Sequence, residues 1–534
     1  MLSALVRPGP VRDARGMGYN FIASDAGDAF LLPQDVREWL PPEHLCWKML
    51  DAVGQMDLSV FLAGYRRDGQ GHAAYHPAVM VALVLYCYSK GIRSSRGIEA
   101  ACWDDVGARI ITANHRVDHA TLARFIGRHR EALDGLFVQV LALCVVQGLV
   151  DPGMVAIDGS VMDANASRDS NRSLEQLEAV IAGCEVAIGA LLEETAAWAR
   201  ECEADPDYQV PDERVGRSGP ARLARLSERL TRARTARGKL YERALPAPSE
   251  IAEKIAAAER MAERAEQALS EAVARQQARF DAHARRTAAD RAAGLRGTRG
   301  RPPLKVESKA VVVCQRARLT RTLIFLELAR HPRPTPSSFA RASLTDPDSR
   351  LVPGKHGGYL QGYNLQISCA CNQLLIAVEL HDNPSDRNAL VPMVTRSQDN
   401  WAAAGVTGQV GAWLADNGYA STANFQALAH LPLLVAVTGG GRHDGHSAPD
   451  ADKPPPAGWA QMSAWHGTPD GKALYKRRAA LVEPGFAQLF QRFGRRLNYR
   501  GDDAVDTEIK LLGTAHNLNK LFTHYTKIAR LATT

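Results

Sequence analysis

Two stretches of the chain set an aspartate in the same surroundings: VAIDG, with Asp158, and WLADNG, with Asp416. In each, a run of small and branched apolar residues has the pattern of a buried strand, and the acid stands where that run meets a glycine. A carboxylate is costly to bury unless it is paired or holds a metal. Strand ends of an α/β sheet are where sites collect, and Mg2+ takes a few carboxylate oxygens while keeping room for water and substrate phosphate. That chemistry asks for a third acid. The best candidate is Glu483 in ALYKRRAALVEPGFAQLFQRF, where helical spacing would let Tyr475, Arg478 and Glu483 approach one face. Three such acids can hold two cations about 3.5–4 Å apart, one activating a water or a 3′-hydroxyl and the other stabilising the leaving oxygen of an in-line phosphoryl displacement.

Plainer roles compete at each position. Asp before Gly is ordinary turn chemistry, which fits Asp158 and Asp416 alike. Glu508 in DTEIKLLGTAHNL is a second helical acid able to be the third ligand, although a salt-bridging helix residue is the simpler reading, and Asp163 reads as a surface position. Tyr475 is most simply a half-buried aromatic, Arg478 a solvated charge, and Tyr363 with Asn364 packing and hairpin residues of a strand. The histidines have no H-E-x-x-H or similar ligand spacing, and no G-K-[ST] follows Gly439-Gly440-Gly441, so neither a zinc site nor a phosphate loop is expected.

The elements that must position these residues fall in a definite order. Residues 32–150 repeat apolar residues at three and four, as in PAVMVALVLYCYSKG, and read as all-helical. Within them Asp118 or Thr121 would cap a helix carrying Arg124, Arg128 and His129 on its exposed side, an arrangement shared by helix-turn-helix readers and ordinary bundle helices. From Val150 the period changes and MVAIDG forms a short strand. An acidic amphipathic helix over 173–205 follows. Residues 211–301 then carry 21 basic and 12 acidic residues in Ala- and Arg-rich sequence, whose apolar positions 223, 226, 230 and 251, 255, 258, 262 suggest a helical hairpin or coiled arm. Residues 302–345, around TRTLIFLELA, fit no element clearly. Strands return at GYNLQISCA and NQLLIAVELHD, joined around Cys371-Asn372-Gln373, and then come a helix capped near Ser385, the WLADNG strand, a helix, the strand LPLLVAV, a loop over 438–470 and helices to the end. Without the arm this is the order of a ribonuclease-H-like domain whose first two strands are separated by an insertion. The fold class expected is α+β and multidomain.

Composition is permissive. The chain has 534 residues, 46% hydrophobic and 23% charged, long enough for about two to four domains. A net charge of +7 favours a polyanionic partner where it is clustered. Nine scattered cysteines without C-x-x-C pairs look like reduced thiols of a cytoplasmic protein, the N-terminus has no continuous apolar core of a secretory signal, and the apolar runs at 79–88 and 136–150 are short or interrupted for a membrane span.

The stretches LPPEHLCWKMLDAVGQMDLSVF, AAYHPAVMVALVLYCYSKGIRSSRGIE, DHATLARF, VAIDGSVMDANAS, TDPDSRL, LQGYNLQI, HDNPSD, LADNGYAS, YKRRAALVEPGF and TAHNLNKL, in this order, give the chain a resemblance covering nearly everything outside the arm. It resembles the DDE transposases of bacterial insertion sequences, specifically insertion-sequence family 1182, in the superfamily with a tyrosine, arginine, glutamate, lysine signature. The resemblance implies a catalytic, metal-holding triad of Asp158, Asp416 and Glu483, with Mg2+ or in its place Mn2+, and Tyr475 and Arg478 near transposon-end phosphates. It implies that the chain cleaves DNA at the terminal inverted repeats of its element and transfers the 3′ ends to target DNA, as a homodimer or larger assembly and away from membranes. The parts would be an N-terminal extension (1–31), a helical DNA-binding domain (32–150) with Arg124 and Arg128, a first catalytic strand region (151–171), a helical and basic insertion with its linker (172–345), and the remainder of the catalytic domain (346–534). One departure stands out: where the family has a lysine seven residues after the glutamate, this chain has Phe490, leaving Gln491 or Arg492 as substitutes. A decayed transposase that only binds DNA and a metal-dependent nuclease are the competing functions.

Overall fold

The computed structural model describes residues 35–65, 73–204, 219–245, 248–295, 302–332, 334–353, 357–381, 385–437 and 458–533. The expected extension 1–31 and most of the expected loop 438–470 lie outside them. The molecule is mixed α/β and mostly helical, with one mixed sheet.

The chain opens with helices α1 (Leu45–Gly54), α2 (Ser59–Leu62), α3 (Pro77–Ser89), α4 (Ser95–Asp104), α5 (Val106–Ile111), α6 (His119–Arg128) and α7 (Arg130–Val146). Helix α3 is apolar all round and is buried all round, as that pattern requires. Its start is fixed by Pro77 in the first turn and by the His76 ring, whose Nδ1 accepts the Ala78 amide at 3.2 Å. Helix α6 is amphipathic and capped by Asp118, whose carboxylate takes the Thr121 amide at 2.9 Å and the Thr121 hydroxyl at 2.6 Å. His129, expected on the exposed side with Arg124 and Arg128, is instead buried among the rings of Phe61, Tyr65 and Phe125. It follows the end of α6, where the chain turns inward to start α7.

The sheet is built from β1 (Val155–Asp163), β4 (Arg350–Pro353), β5 (Tyr359–Ala370), β6 (Leu375–His381), β7 (Trp413–Ala415) and β8 (Leu433–Val435); β2 (Asn171–Arg172) and β3 (Ala342–Ser343) form a separate two-residue ladder. The order is β4-β5-β1-β7-β8, with β6 also on β5; β5 runs antiparallel to β1, while β7 and β8 run parallel to it. The β5–β6 hairpin turns where the sequence indicated, through Asn372 and Gln373 at positive φ of 63° and 54°. One expectation fails at β1: the strand does not break at Asp158-Gly159 but continues to Asp163, paired with β5 throughout.

Between β2 and β3 lie α8 (Leu174–Ala204), α9 (Gly219–Arg243), α10 (Pro248–Ala292) and α11 (Ala310–Arg330). The pairing differs from a hairpin of the two basic stretches. Helix α9 packs along the acidic α8, and α10 packs along α11, the helix that contains TRTLIFLELA. Lys239 and Arg243, at the end of α9, tie this insertion to the loop before β4: Lys239 pairs with Asp348 at 2.9 Å, and Arg243 donates to the carbonyls of Pro347 and Asp348.

Helices α12 (Leu390–Ala403), α13 (Thr422–Ala427), α14 (Trp459–Gly467), α15 (Pro469–Phe493) and α16 (Asp502–Thr533) complete the fold. Helix α14 occupies a segment expected to be loop. Helix α15 lies on the sheet, where Gly485 comes so close that a methyl there would meet Cys369 Sγ at 2.9 Å. Helix α16 packs against α3, α7 and β6, so one continuous apolar core runs from Cys46 through the sheet to Phe522.

Candidate active site

The register of the two central strands brings the acids together. Strands β1 and β7 pair in parallel with Val155 opposite Trp413 and Ala156 opposite Leu414. Two residues further along each chain stand Asp158 and Asp416. Asp416 follows the last residue of β7 and takes the Gly418 amide on Oδ1 at 2.8 Å, so the turn chemistry suggested by D-N-G is present here. Asp158 is different: it sits inside a strand, with Oδ1 accepting the amide of Gly159 at 2.9 Å. Glycine follows it for want of space, since a Cβ at Gly159 would lie 2.6 Å from Asp386 Oδ1.

Helix α15 supplies the cation. Arg478 Nη1 donates to Asp158 Oδ2 at 3.2 Å, with the two side chains only 14% and 20% exposed. One turn earlier, Tyr475 holds its ring 5.8 Å from the Arg478 guanidinium and 4.7 Å from the His466 ring. Burial pushes the Asp158 carboxyl above the usual carboxylate range; Arg478 opposes this and the neighbouring charge of Asp416 adds to it. Asp416 is raised in the same way, by burial first, against the Gly418 amide and Arg478, and with Asp386. Two half-buried carboxylates therefore share one guanidinium, a surplus of negative charge that a divalent cation would neutralise.

Glu483 is not part of this group. It is exposed, five residues and so about 140° around the helix axis from Arg478. Among the described residues no three His, Cys, Asp or Glu side chains are gathered as a metal site. Glu508 has the structural role that its alternative reading assigned: it is fully buried, paired with Arg93 at 3.1 Å, and accepts the amides of Asn498 and Tyr499. Asp163 is half-buried beside a backbone bridge to Arg496. At the position of the expected lysine, Phe490 stacks on Phe486, and the guanidinium above its ring, at 3.9 Å, is that of Arg495 and not Arg492. Arg124 is exposed on α6, where it donates to the Ala120 carbonyl and the Thr121 hydroxyl of its own helix, while Arg128 donates to the Gly64 carbonyl and lies over the Tyr65 ring.

The second acid of HDNPSD, Asp386, has no role legible from that stretch alone. Asp386 opens the short turn between β6 and α12, and its Oδ1 accepts from Gln366 Nε2 at 2.7 Å and Asn364 Nδ2 at 3.0 Å. Tyr419 donates in turn to Gln366 Oε1. The clue available was the polar alternation of Asn364, Gln366 and Ser368 in an otherwise apolar strand, three side chains that must find partners on one face.

A family model described as a transposase domain matches residues 34–128, which span α1 to α6. Another, described as a transposase DDE domain, matches residues 459–522, which carry Tyr475, Arg478 and Glu483. Asp158 and Asp416 lie outside both stretches. No curated protein and no solved structure shows a significant match to the chain. Matches to transposase families in both its helical N-terminal block and its last helices support a DDE transposase of insertion-sequence type.

Proposed function

We propose that the chain, as a member of insertion-sequence family 1182, cleaves DNA at the terminal inverted repeats of its element and transfers the 3′-hydroxyl ends into target DNA. The observation that carries this reading is the pair Asp158 and Asp416, at the same level of neighbouring parallel strands, with Arg478 bonded to Asp158. Mg2+ binds through one or two carboxylates plus substrate phosphate and not in an all-protein cage, so two aspartates fit it before DNA arrives. When bound, such cations, with Mn2+ able to replace Mg2+, supply an activated oxygen nucleophile and charge stabilisation on the leaving oxygen.

The chain's own residues do the rest. Asp158 and Asp416 offer hard oxygen ligands whose direction is set by the amides of Gly159 and Gly418. Glu483 is the third acid in this reading and joins from the flank of α15 once DNA is in place. Arg478, with a planar fork suited to phosphate, exchanges its contact with Asp158 for the transposon-end backbone, and Tyr475 lines the same approach. Arg495 stands in for the missing lysine. Arg124, exposed on α6, meets phosphates of the terminal repeat, and at least two copies act together to pair two ends.

The test is incubation of the purified protein with terminal-repeat duplexes and Mg2+. Joined strand-transfer products are expected. Asp158→Ala should abolish cleavage and leave the DNA mobility shift intact; retained cleavage removes Asp158 from the mechanism. Cutting indifferent to sequence would instead mark a nuclease, and a shift without cleavage in the parent protein a DNA-binding remnant.

A further inference from the structure

We propose that Asp386 is a positioning residue that sets both cation-holding aspartates from behind the sheet, a role resting on the reading of Asp158 and Asp416 as such a pair. Each of those acids is oriented by one backbone amide, Gly159 for Asp158 at 2.9 Å and Gly418 for Asp416 at 2.8 Å. Both glycines abut the same carboxylate. A Cβ built on Gly159 would stand 2.6 Å from Asp386 Oδ1 and 3.1 Å from its Cγ, and one built on Gly418 would stand 3.6 Å from Oδ2. One side chain thus backs the two peptide groups that aim the two acids.

Asp386 is itself held firmly. Its Oδ1 takes two amide donors, Gln366 Nε2 at 2.7 Å and Asn364 Nδ2 at 3.0 Å, and Gln366 is fully buried and tied further to Tyr419 and to Asn364 Oδ1. The two amide donors on one carboxyl oxygen, with the Gln366–Tyr419 and Gln366–Asn364 bonds, fix this frame. The same bonds leave Oδ1 no place in a cation's shell. Asp386 also lies on the face of β1 opposite the Asp158 side chain: Gln366 is the partner of Gly159 in the ladder, whereas Asp158 shares its face with Ile367. From that face it backs the two peptides that aim the acids. The β6–α12 turn that carries it is thereby coupled to the ends of β1 and β7.

Outer-shell groups of this kind typically change metal affinity by about 10- to 100-fold. The experiment is titration of the full-length protein with Mn2+, followed by electron spin resonance of the unbound ion, together with thermal unfolding of each variant. Asp386→Ala and Asp386→Asn should both weaken Mn2+ binding by about 10-fold or more in protein that is still folded. A group with only a structural role would lower the unfolding midpoint and leave the affinity of the folded protein unchanged. Asp386→Asn keeps the volume and one acceptor, so it decides the matter where Asp386→Ala fails to fold: parental affinity in Asp386→Asn overturns the proposal. Asp158→Ala separates the two levels. If it loses Mn2+ while Asp386→Asn does not, the acid pair stands and Asp386 has no part in it; if it binds Mn2+ like the parent, the acid pair falls and this inference with it.

Discussion

Replacing Gly159 by alanine tests the geometry behind the site most directly, because the sign of the effect is diagnostic. In an ordinary strand, glycine to alanine is stabilising by roughly 0.5–1 kcal/mol, since the unfolded chain loses freedom and the strand gains a side chain. Here the new methyl would enter a space already taken by Asp386 Oδ1 at 2.6 Å and by the Gln366 amide. Neither can step aside cheaply: Gln366 is fully buried and hydrogen-bonded at both ends, and Asp386 is held by two donors. Overpacking of this kind costs about 1–3 kcal/mol, which outweighs the strand gain and leaves a net loss of about 1–2 kcal/mol. The strain falls on the peptide that orients Asp158. A displacement near 1 Å at a reacting centre costs about 100-fold in rate, so Mg2+-dependent nicking of a terminal-repeat duplex should fall by that order. Denaturant unfolding and single-turnover cleavage are the assays. Gly183→Ala on α8, where a methyl meets nothing within 4 Å, is the matched control and should be neutral or slightly stabilising. A Gly159→Ala protein as stable as the parent and cutting at the parental rate would refute the view that this glycine is required by packing against Asp386.

Other consequences can be checked separately. Arg93→Ala removes the partner of the fully buried Glu508 and should cost about 3–5 kcal/mol in denaturant unfolding, while Glu508→Gln should leave Mn2+ affinity as in the parent; lost affinity would return Glu508 to the list of ligands. Asp134 is pushed up to about 6 by burial, with Lys510 and Arg130 pulling it down and Asp506 pushing it further. Its folded value lies above its unfolded one, so its contribution is most favourable below about pH 4 and is lost as pH rises toward 6, to a penalty of at most about 3 kcal/mol. Asp134→Asn should therefore raise the unfolding midpoint near pH 8 and lose that advantage near pH 4; an equal gain at both would contradict the burial argument. Arg124→Ala should reduce the salt dependence of DNA binding by about one phosphate contact without changing the melt, whereas Arg128→Ala should lower the melt because its guanidinium holds the Gly64 carbonyl. The reverse pattern would exchange the roles of the two arginines.

What could be foreseen from the residues, and what could not, follows from where each constraint acts. An aspartate closing an apolar run needs a reason, and that logic singled out Asp158 and Asp416 from local chemistry, two acids that the β1–β7 register sets at one level. It misjudged the backbone at Asp158, because glycine after aspartate has a local explanation, a turn, and the true one is the Asp386 carboxylate more than two hundred residues away. Helix α11 resisted assignment for a related reason. Val312, Thr322 and Leu326 face α10, while Val313, Ile324 and Leu328 stand about half exposed on the other side, so its apolar residues show no single face. Which of the four insertion helices pair is likewise decided by docking, through Lys239 and Arg243 on the loop before β4, and two amphipathic seams of similar length do not say which partner each will take.

The third acid shows how far periodicity reaches. Tyr475, Arg478 and Glu483 are close enough in sequence to suggest one face, yet Arg478 and Glu483 differ by about 140° around an α-helix. The side of α15 that docks is set by Val482, Gly485, Phe486 and Leu489 against the sheet, and this choice turns Arg478 toward Asp158 and leaves Glu483 exposed. A straight helix cannot aim both at the aspartates. Convergence of all three acids requires α15 to turn or to unwind locally, and the residue after Glu483 is Pro484, which gives no N–H to the helical ladder and so removes one of the bonds opposing such a change. Pro484→Ala should on this argument stabilise α15 and slow cleavage together, by restoring the bond to the Ala480 carbonyl. Cleavage that stayed at the parental rate in a more stable Pro484→Ala protein would mean that Glu483 reaches the site by some route other than a change in this helix.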